Sequence, residues 1–338
     1  MKISLKPLDQ QVIVITGASS GIGLVTARMA ARQGARLVVA ARNEEALQAL
    51  IEEIRSQGGE AIYVTVDVGS QTEVAQLSEA AIEAFGGFDS WVNVAGVSIF
   101  GRCMDVSIDD MQRMFDTNFW GVVYGSRAAV SHYRSRGGSG ALINVGSFFG
   151  NRATPVQSTY AASKHALHGW TDALRMELEH DGEPVAVTLI HPGRIDTPYN
   201  EHAQSYMERQ PAHRDMIYPP EAVAEAILHA AQRPTRDMFV GFQSKLLSVL
   251  GGLSPRLMDK FMELYMFRSQ LAHRPSKSRK DSGLYEPGYG LHERGTNAGR
   301  WYRSSSLYVK ASKHPVLTTA AVATLGIAAV KMLGRGRR

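Results

Sequence analysis

Residues 11–23 read QVIVITGASSGIG, and the prediction of the fold starts from this stretch. The apolar run at 11–15 predicts a buried strand, and apolar residues at helical spacing over about 21–33 predict the helix that follows it. Glycines between a strand and a helix let the backbone turn sharply and approach a phosphate, to which the helix N-terminus offers free N–H groups. We interpret this loop as a dinucleotide site, whereas glycines without that context would mark an ordinary tight turn. The residues expected at the cofactor are Gly17, Ser19, Ser20, Gly21, Ile22 and Gly23.

Six more apolar runs alternate with helical patterns through the body of the chain. The predicted strands lie at 36–41, 61–66, 90–94, 141–146, 185–190 and 237–241. The predicted helices lie at 43–57, 71–85, 106–134, 157–180 and 220–232. Continuous apolar strands separated by helices indicate a parallel sheet that is covered on both faces. We therefore predict an α/β, doubly wound domain with seven strands over residues 1–241.

The residues that follow the second strand bear on the choice of dinucleotide. NAD-selective sites place an acid there to bind the ribose 2′-hydroxyl. Here Ala41 takes that position and Arg42 follows, which favours the 2′-phosphate of NADP(H) over NAD(H), unless Arg42 only faces solvent. After the third strand, Asp67 and Val68 are expected near the adenine. After the fourth strand, the residues expected to line the cleft are Asn93, Ala95 and Gly96.

Tyr160 and Lys164 stand one helical turn apart, with Ser147 thirteen residues upstream of the tyrosine. Positions i and i+4 share a helix face, so the ammonium would lie beside the phenol and lower its pKa from a reference near 10. A tyrosine tuned in this way exchanges a proton near neutral pH, and a serine hydroxyl beside it can donate to a carbonyl oxygen. Taken alone, this spacing often arises by chance, and it more commonly describes a surface tyrosine beside a solvated lysine.

Composition restricts the class of protein. Cys103 is the only cysteine in 338 residues, which excludes an intramolecular disulfide and agrees with a reducing cytoplasm. The first residues, MKISLKPLDQQ, contain no long apolar run, so we expect no signal peptide and a cytoplasmic protein. No group of His, Cys and Asp has metal-ligand spacing, and we predict no catalytic metal.

Charge divides the chain into two unlike parts. Residues 1–240 carry 20 Lys and Arg against 27 Asp and Glu, whereas residues 241–338 carry 17 against 5. A basic block of this kind suggests an anionic membrane surface as a partner. No recognised nucleic-acid module accompanies the charge, so we expect no nucleic acid. We divide the block into an amphipathic and basic, partly irregular extension at 242–314 and an apolar segment at 315–338.

The apolar C-terminal segment leaves its relation to a membrane open. Its uncharged stretch at 315–330 would extend roughly 24 Å as a helix, which is short of a hydrocarbon core of about 30 Å. Crossing a membrane, lying on its surface and docking on the domain remain three alternatives.

These motifs, in this order, resemble the short-chain dehydrogenase/reductase family over about residues 8–241. The resemblance is carried by TGASSGIG at 16–23, NVAG at 93–96, Asn118 in DTNFWG, Ser147 in NVGSFFG, YAASK at 160–164 and PGRIDT at 192–197. It implies a Rossmann-type sheet of seven parallel strands. The sequence departs from the family at Val94, where a second asparagine is common, and in its long basic tail. The usual oligomer therefore cannot be assumed, and a homodimer stays open.

The resemblance also implies a role for each candidate catalytic residue. Tyr160 would be the general acid in reduction and the base in oxidation, and Lys164 would lower its pKa and hold the nicotinamide ribose. Ser147 would polarise the substrate carbonyl. Asn118 would support a water relay to Lys164, although a structural hydrogen bond within the helix would also explain an asparagine there. The residues implied at the nicotinamide amide are Pro192, Gly193, Ile195 and Thr197.

We therefore predict an NADP(H)-dependent oxidoreductase that acts on a small-molecule carbonyl or secondary alcohol. An apolar pocket, and hence a lipophilic substrate, is suggested by Phe100, Phe148, Phe149 and Tyr199. The alternative is a catalytically silent NADP(H) sensor or scaffold that acts through the basic tail. Residues 195–219 have no clear period and follow a strand end, so we expect a mobile substrate lid there.

Overall fold

Seven parallel strands form the central sheet in the computed structural model, which describes residues 3–214, 217–241 and 254–297, together with Val309 and Lys313. The strands are β1 (Val12–Thr16), β2 (Arg36–Ala41), β3 (Ala61–Thr65), β4 (Ser90–Asn93), β6 (Gly140–Val145), β7 (Val185–Pro192) and β10 (Asp237–Val240). Four short strands lie outside this sheet: β5 (Ile99–Phe100), β8 (Gln204–Ser205), β9 (Arg209–Pro211) and β11 (Leu271–Pro275).

The order of the strands places β1 and β4 at the middle of the sheet. Across the sheet the order is β10, β7, β6, β4, β1, β2, β3, and every neighbouring pair is parallel. The predicted seven-stranded, doubly wound α/β domain is therefore confirmed. All carboxyl ends of these strands lie at one edge, where such sheets bind their ligands.

Helices cover both faces of the sheet. They are α1 (Gly21–Ala31), α2 (Glu44–Ser56), α3 (Gln71–Phe85), α4 (Ile108–Phe115), α5 (Gly121–Arg136), α6 (Ser158–His180), α7 (Tyr199–His202), α8 (Pro220–Gln232) and α9 (Pro255–Ser269). The helix predicted at 106–134 is α4 and α5, joined by a π-helical turn at Asp116–Trp120. Asn43, Ser70 and Ser107 begin α2, α3 and α4, and each side chain accepts a hydrogen bond from an N–H of the first turn.

Burial of both strand faces is visible along β1. Ile13 and Ile15 belong to the apolar cluster that packs against α1, α2 and α8. Val12 and Val14 belong to the cluster on the opposite face, against α3, α5 and α6. Successive side chains of a strand point to opposite faces, so an unbroken apolar run is what a sheet covered on both sides requires.

Short strands hold the region that the sequence suggested as a lid. β8 pairs with β5 at Ile99 and Phe100, and β9 pairs with β11 at Leu271 and Pro275. Residues 204–211 are thus fixed to the body on one side and to the C-terminal extension on the other. Motion of the region at 195–219 stays a prediction.

The described part of the extension packs on the domain. Met258, Met262 and Met266 of α9 are buried against Phe148, whereas Leu257 and Leu264 on the same helix are 71% and 70% exposed. Within the described residues no helix combines the length and apolar character needed to cross a bilayer. The apolar segment at 315–338 lies outside the described residues.

Candidate active site

Tyr160 and Lys164 lie on the buried side of α6, one turn apart. The Lys164 Nζ donates a hydrogen bond to the carbonyl oxygen of Val145, at the end of β6, at 2.9 Å. The same Nζ lies 5.8 Å from the centre of the Tyr160 ring. This bond holds the first turns of α6 against the carboxyl edge of the sheet, so both side chains face the place where a ligand would bind.

Ser147 follows β6 and is held beside the tyrosine by a short turn. Its Oγ accepts a hydrogen bond from the N–H of Phe149 at 3.1 Å, and its own N–H donates to Nε2 of His168 at 3.4 Å. His168 lies so close beneath this turn that a Cβ on Gly146 or Gly150 would be 2.3 Å from its ring. Burial lowers the pKa of His168 to about 2, so the ring is neutral and acts as an acceptor.

Asn118 lies in the π-helical turn and is completely buried. Its Nδ2 donates to the carbonyl oxygen of Val97 at 3.0 Å, and its Oδ1 accepts from the N–H of Val97 at 2.8 Å. Nδ2 also donates to Ser163 Oγ at 3.2 Å. The side chain thus fixes the loop after β4 by structural hydrogen bonds. The water relay from Asn118 to Lys164 stays a prediction.

Burial changes the proton chemistry of Tyr160. It raises the pKa of Tyr160 above the ordinary value, and hydrogen bonds with Ser147 and Tyr199 oppose that rise. The Tyr160 and Tyr199 rings meet edge to face at 5.5 Å, and the Tyr199 hydroxyl accepts a hydrogen bond from Gln157 at 2.9 Å. The expectation that Lys164 lowers the pKa of Tyr160 is not met in this arrangement. The ammonium is directed to a carbonyl oxygen, and the phenol lies out of water.

A cleft of about 1010 Å³, measured to its open mouth, runs along the carboxyl edge of the sheet. Near Gly96 it approaches two of the candidate catalytic residues, because an added Cβ there would lie 3.4 Å from Asn118 Oδ1 and 4.0 Å from Lys164 Nζ. The expected cofactor residues that line it are Gly17, Ser19, Ser20, Gly21, Ile22, Gly23, Arg42, Asp67, Val68, Ala95, Gly96 and Thr197. The candidate cofactor and catalytic residues are therefore neighbours.

Two glycines of the first loop have no room for a side chain. A Cβ on Gly17, whose φ is +69°, would lie 2.7 Å from the Cα of Ala95. A Cβ on Gly23 would lie 2.2 Å from the carbonyl oxygen of Gly17. The loop after β1 thus packs backbone to backbone on the loop after β4 and on the start of α1.

Asn93 does not face the cleft. Its Nδ2 donates to Asn144 Oδ1 at 2.9 Å, and its Oδ1 accepts from Trp91 Nε1 at 2.8 Å. All three side chains are buried, which means that Asn93 links β4 to β6 from inside the sheet. Its contribution to the cleft is the loop that it anchors.

Only Thr197 of the PGRIDT stretch lines the cleft with the other cofactor candidates. Pro192 ends β7, and the N–H of Gly193 donates to the carbonyl oxygen of Val240 at 3.0 Å. Ile195 is buried in the core beneath α8. These three residues shape the loop that presents Thr197.

Arg42 lies at the end of β2 and is bound by the C-terminal extension. Its Nη1 donates to the carbonyl oxygens of Leu284, at 3.2 Å, and Tyr285, at 2.8 Å. Its Nη2 donates to the carbonyl oxygen of Gly283 at 2.5 Å. A guanidinium has five N–H donors, so the Nε–H and one Nη2–H remain for a ligand.

Asp67 is paired with an arginine that belongs to no motif in the sequence analysis. It forms an ion pair with Arg113 of α4. Burial acts to raise the pKa of Asp67, but hydrogen bonds from Arg113 and the N–H of Gly69, together with the charge of Arg42, outweigh it and lower that pKa. A carboxylate with two guanidinium groups nearby gives the cleft a charged rim beside the ends of β2 and β3.

Residues 282–293, which we call the strap, cross this end of the cleft. Gly283, Pro287 and Gly288 of the strap line the cleft opposite the glycine-rich loop. Sequence reasoning missed this contribution because the strap is polar and irregular and has no motif. It also missed His168, although the i+4 spacing from Lys164 placed that residue near the same helix face.

Comparison with known proteins shows which family this chain resembles. Residues 11–208 match the family model described as short chain dehydrogenase. The uncharacterized oxidoreductase YxnA of Bacillus subtilis is 63% identical over 325 residues, which cover 96% of this chain and 91% of YxnA. The similarity to YxnA therefore includes the C-terminal part of the chain.

Two solved structures share the fold. A short chain dehydrogenase/reductase from Burkholderia phymatum, in complex with NAD, matches with a TM-score of 0.57 and 33% identity over 58% of this chain and 70% of that one. An alcohol dehydrogenase from the archaeon Thermococcus sibiricus, complexed with 5-hydroxy-NADP, matches with a TM-score of 0.59 and 26% identity over 68% of this chain and 95% of that one. The two neighbours hold different dinucleotides, so they do not choose between NAD and NADP.

Removing the buried amine of Lys164 should change how stability depends on pH. Burial lowers the pKa of Lys164 to about 8, against 10.5 for an unperturbed lysine. Between these values the unfolded chain binds more protons than the folded chain, so this residue makes the wild type gain stability as the pH rises from about 8 to 10.5. Lys164→Met removes that gain. The free energy of unfolding of the variant minus that of the wild type should therefore fall across this window in urea titrations.

Lys260→Met on the exposed side of α9 is the control for that experiment. Its difference from the wild type shows how much of any change with pH comes from losing an exposed amine. A difference for Lys164→Met that changes no more with pH than that of this control would contradict the desolvated state of Lys164.

Proposed function

The chain belongs to the short-chain dehydrogenase family, and on that premise we propose that it is an NADP(H)-dependent oxidoreductase that interconverts a carbonyl and a secondary alcohol. The observation that carries the proposal is the shared burial of Tyr160, Ser147 and Lys164 beside the cleft, whose lining residue Gly96 lies close to Lys164 Nζ. A phenol, a hydroxyl and an amine in this arrangement suit proton transfer to a carbonyl oxygen.

The residues around the glycine-rich loop fit a dinucleotide. Gly17 and Gly23 leave the backbone bare where a Cβ would collide with neighbouring main chain. The N–H groups of Ile22 and Gly23, in the first turn of α1, make no hydrogen bond among the described residues. Free N–H groups at a helix N-terminus suit a pyrophosphate.

The hydroxyl groups of Tyr160 and Ser147 have different roles at the substrate oxygen. A nicotinamide cofactor, when bound, supplies or accepts the hydride. In reduction, the Tyr160 hydroxyl gives its proton to the carbonyl oxygen, while the Ser147 hydroxyl donates a hydrogen bond that orients that oxygen. In oxidation, the phenolate of Tyr160 takes the proton back. Both side chains are held by contacts that exist before a substrate binds, which reduces the reorganisation that the reaction needs.

Lys164 has a second task in this proposal. Its Nζ already donates to Val145 and has two further hydrogens to donate. These can bind ribose hydroxyls, and a polar group there would favour the charged amine over the neutral form that burial alone favours. A charged Lys164 would then lower the pKa of Tyr160, which is the effect expected from the spacing.

The preference for NADP(H) in this proposal depends on Arg42. The Ala41 position, where an NAD-selective site has an acid, provides no acceptor for a 2′-hydroxyl. Arg42 and Arg113 lie on either side of Asp67, and Arg42 retains donors on Nε and Nη2. A 2′-phosphate would be bound by these donors, whereas NAD(H) would leave them without a partner.

Apolar side chains around Tyr160 favour a lipophilic substrate. The cluster that contains Tyr160 also contains Ile99, Val106, Met114 and Leu284. Partly buried aromatic residues, Phe149 and Tyr199, pack against it. Burial of apolar substrate surface in such a pocket would supply much of the binding free energy.

Turnover should depend on the hydroxyl of Tyr160. With NADPH and a panel of ketones and aldehydes, Tyr160→Phe should lower kcat by at least about 100-fold, because general acid catalysis is lost. NADPH binding, followed by fluorescence, should persist in that variant. Tyr63→Phe is the control, because the Tyr63 hydroxyl bonds only to Glu44 and Gln48 at the surface.

Either of two results would contradict this assignment. Turnover that survives Tyr160→Phe would exclude the tyrosine as the acid. NADPH binding by the wild type with no turnover across the panel would favour a nucleotide sensor instead.

The preference for NADPH over NADH should depend on the positive charge of Arg42. Arg42→Ala should reduce the preference for NADPH over NADH, taken as the ratio of the two Kd values, by about 10- to 100-fold, because a charge-assisted hydrogen bond contributes about 1.5–3 kcal/mol. The ratio is the right measure because any effect on the strap weakens both cofactors alike. Arg32→Ala, at an exposed position, should leave the ratio unchanged. An unchanged ratio in Arg42→Ala would assign the 2′ position to other residues.

The proposal also includes contact with an anionic membrane surface. Residues 241–338 carry 17 Lys and Arg against 5 Asp and Glu, and Leu257 and Leu264 are exposed on α9. Basic residues beside exposed apolar side chains suit the surface of an anionic bilayer. Full-length protein should co-sediment with phosphatidylserine vesicles, and the double change Leu257→Ser with Leu264→Ser should weaken that binding. Equal binding to vesicles of neutral lipid would contradict the role of charge.

A further inference from the structure

The strap, residues 282–293, connects the catalytic side of the cleft with the glycine-rich loop. At its start, Leu284 is completely buried in the apolar cluster that contains Tyr160. The Ser282 Oγ donates to Gln204 Oε1 at 2.5 Å. The Tyr285 hydroxyl donates to Asp110 Oδ1 at 2.8 Å. One side chain in a core, one buried hydrogen bond and one partly exposed hydrogen bond fix this end of the strap to the domain.

The other end of the strap is fixed on the loop that would hold the pyrophosphate. The N–H of Leu291 donates to the carbonyl oxygen of Ser19 at 2.8 Å. The N–H of Gly21 donates to the carbonyl oxygen of His292 at 2.9 Å. The strap therefore joins the glycine-rich loop by main-chain hydrogen bonds, much as a strand would.

The closest approach is at Gly290. A Cβ at this position would lie 2.1 Å from the Cβ of Ala46 on α2 and 3.4 Å from the carbonyl oxygen of Ser19. Ala46 is buried and belongs to a helix, so it cannot move aside. The strap reaches its position because residue 290 has no side chain. Three residues on, Glu293 pairs with Arg28 of α1 at 2.8 Å, which extends the attachment along α1.

The cleft continues beneath the strap. Its outer wall there consists of Gly283, Pro287 and Gly288, which are residues with short or compact side chains. Its inner wall is the glycine-rich loop and the strand ends that carry Arg42 and Asp67. A segment that blocked the site would fill this space with bulky side chains, whereas these residues leave it open.

We propose that the strap is part of the cofactor site, and that it closes over the adenosine half of the bound dinucleotide and holds it in the cleft. The proposal rests on the dinucleotide binding argued above. The main-chain carbonyls of residues 283–285 hold Arg42 at the end of the cleft proposed for the adenosine, and three bonds leave two of its five N–H donors for a ligand. Release of the cofactor then requires the strap to separate from the glycine-rich loop and from Arg42.

The rate at which NADPH leaves the full-length protein tests this role. In stopped-flow fluorescence, with excess NADP⁺ as the displacing ligand, Gly290→Ala should release NADPH about 10-fold faster than the wild type or more, because changes in affinity act mainly through dissociation. Tyr285→Phe removes one surface-exposed anchor without crowding the strap, and should increase the rate by a smaller factor. Gly169→Ala on α6 is the control, because a Cβ there meets nothing within 4 Å, and its rate should equal that of the wild type.

A thermal unfolding transition is measured for each variant to show that it is folded. If Gly290→Ala does not fold, the release rate of Tyr285→Phe tests the proposal. Release rates in both strap variants equal to that of the wild type would overturn the proposal. Faster and tighter binding in Gly290→Ala would also overturn it, because the strap would then compete with the cofactor. If the wild type bound neither NADPH nor NADH, the proposed function would fail, and the role of the strap with it.

Discussion

A sheet that is buried on both faces can meet a polar ligand only along its edge, and the rest of this molecule follows from that constraint. β1 places alternate side chains in two separate cores, so no polar group can project from either face without losing its hydration. The parallel arrangement brings all carboxyl ends to one edge. The loops that follow β1, β4, β6 and β7 therefore meet there, and they carry Gly17, Gly96, Ser147 and Thr197.

Burial also determines the chemistry of the groups at that edge. It raises the pKa of Tyr160 and lowers the pKa of Lys164, so each group is moved toward its neutral form. A pair in this state is ready to donate a proton but is a poor source of phenolate. A ligand in the cleft would then change how the pair titrates, because a polar partner for Lys164 would favour its charged form. The proposed proton transfer and the proposed cofactor binding would in this way depend on the same electrostatic interactions.

The C-terminal extension belongs to the same system. Leu284 belongs to the same apolar cluster as Tyr160, and main-chain carbonyls of the strap, including that of Leu284, bind Arg42. Backbone carbonyls satisfy the guanidinium without neutralising its charge, so Arg42 remains a cation beside Asp67 and Arg113. The 63% identity with YxnA covers 96% of this chain, and so it includes this extension together with the dehydrogenase fold.

Patterns in the sequence were enough to predict the seven central strands in order, the glycine-rich loop and the Tyr160–Lys164 pair. Each of these is a local pattern, because strand and helix periods and the i+4 spacing are fixed within a few residues of chain. Three other features became visible only in the folded chain: Asn93 turns into the sheet, His168 supports Ser147, and the strap lies on Arg42. The strap and Arg42 are separated by more than 240 residues along the chain. The strap contacts Arg42 through main-chain carbonyls. Because every residue has a main-chain carbonyl, no pattern of side chains in the sequence predicts this contact.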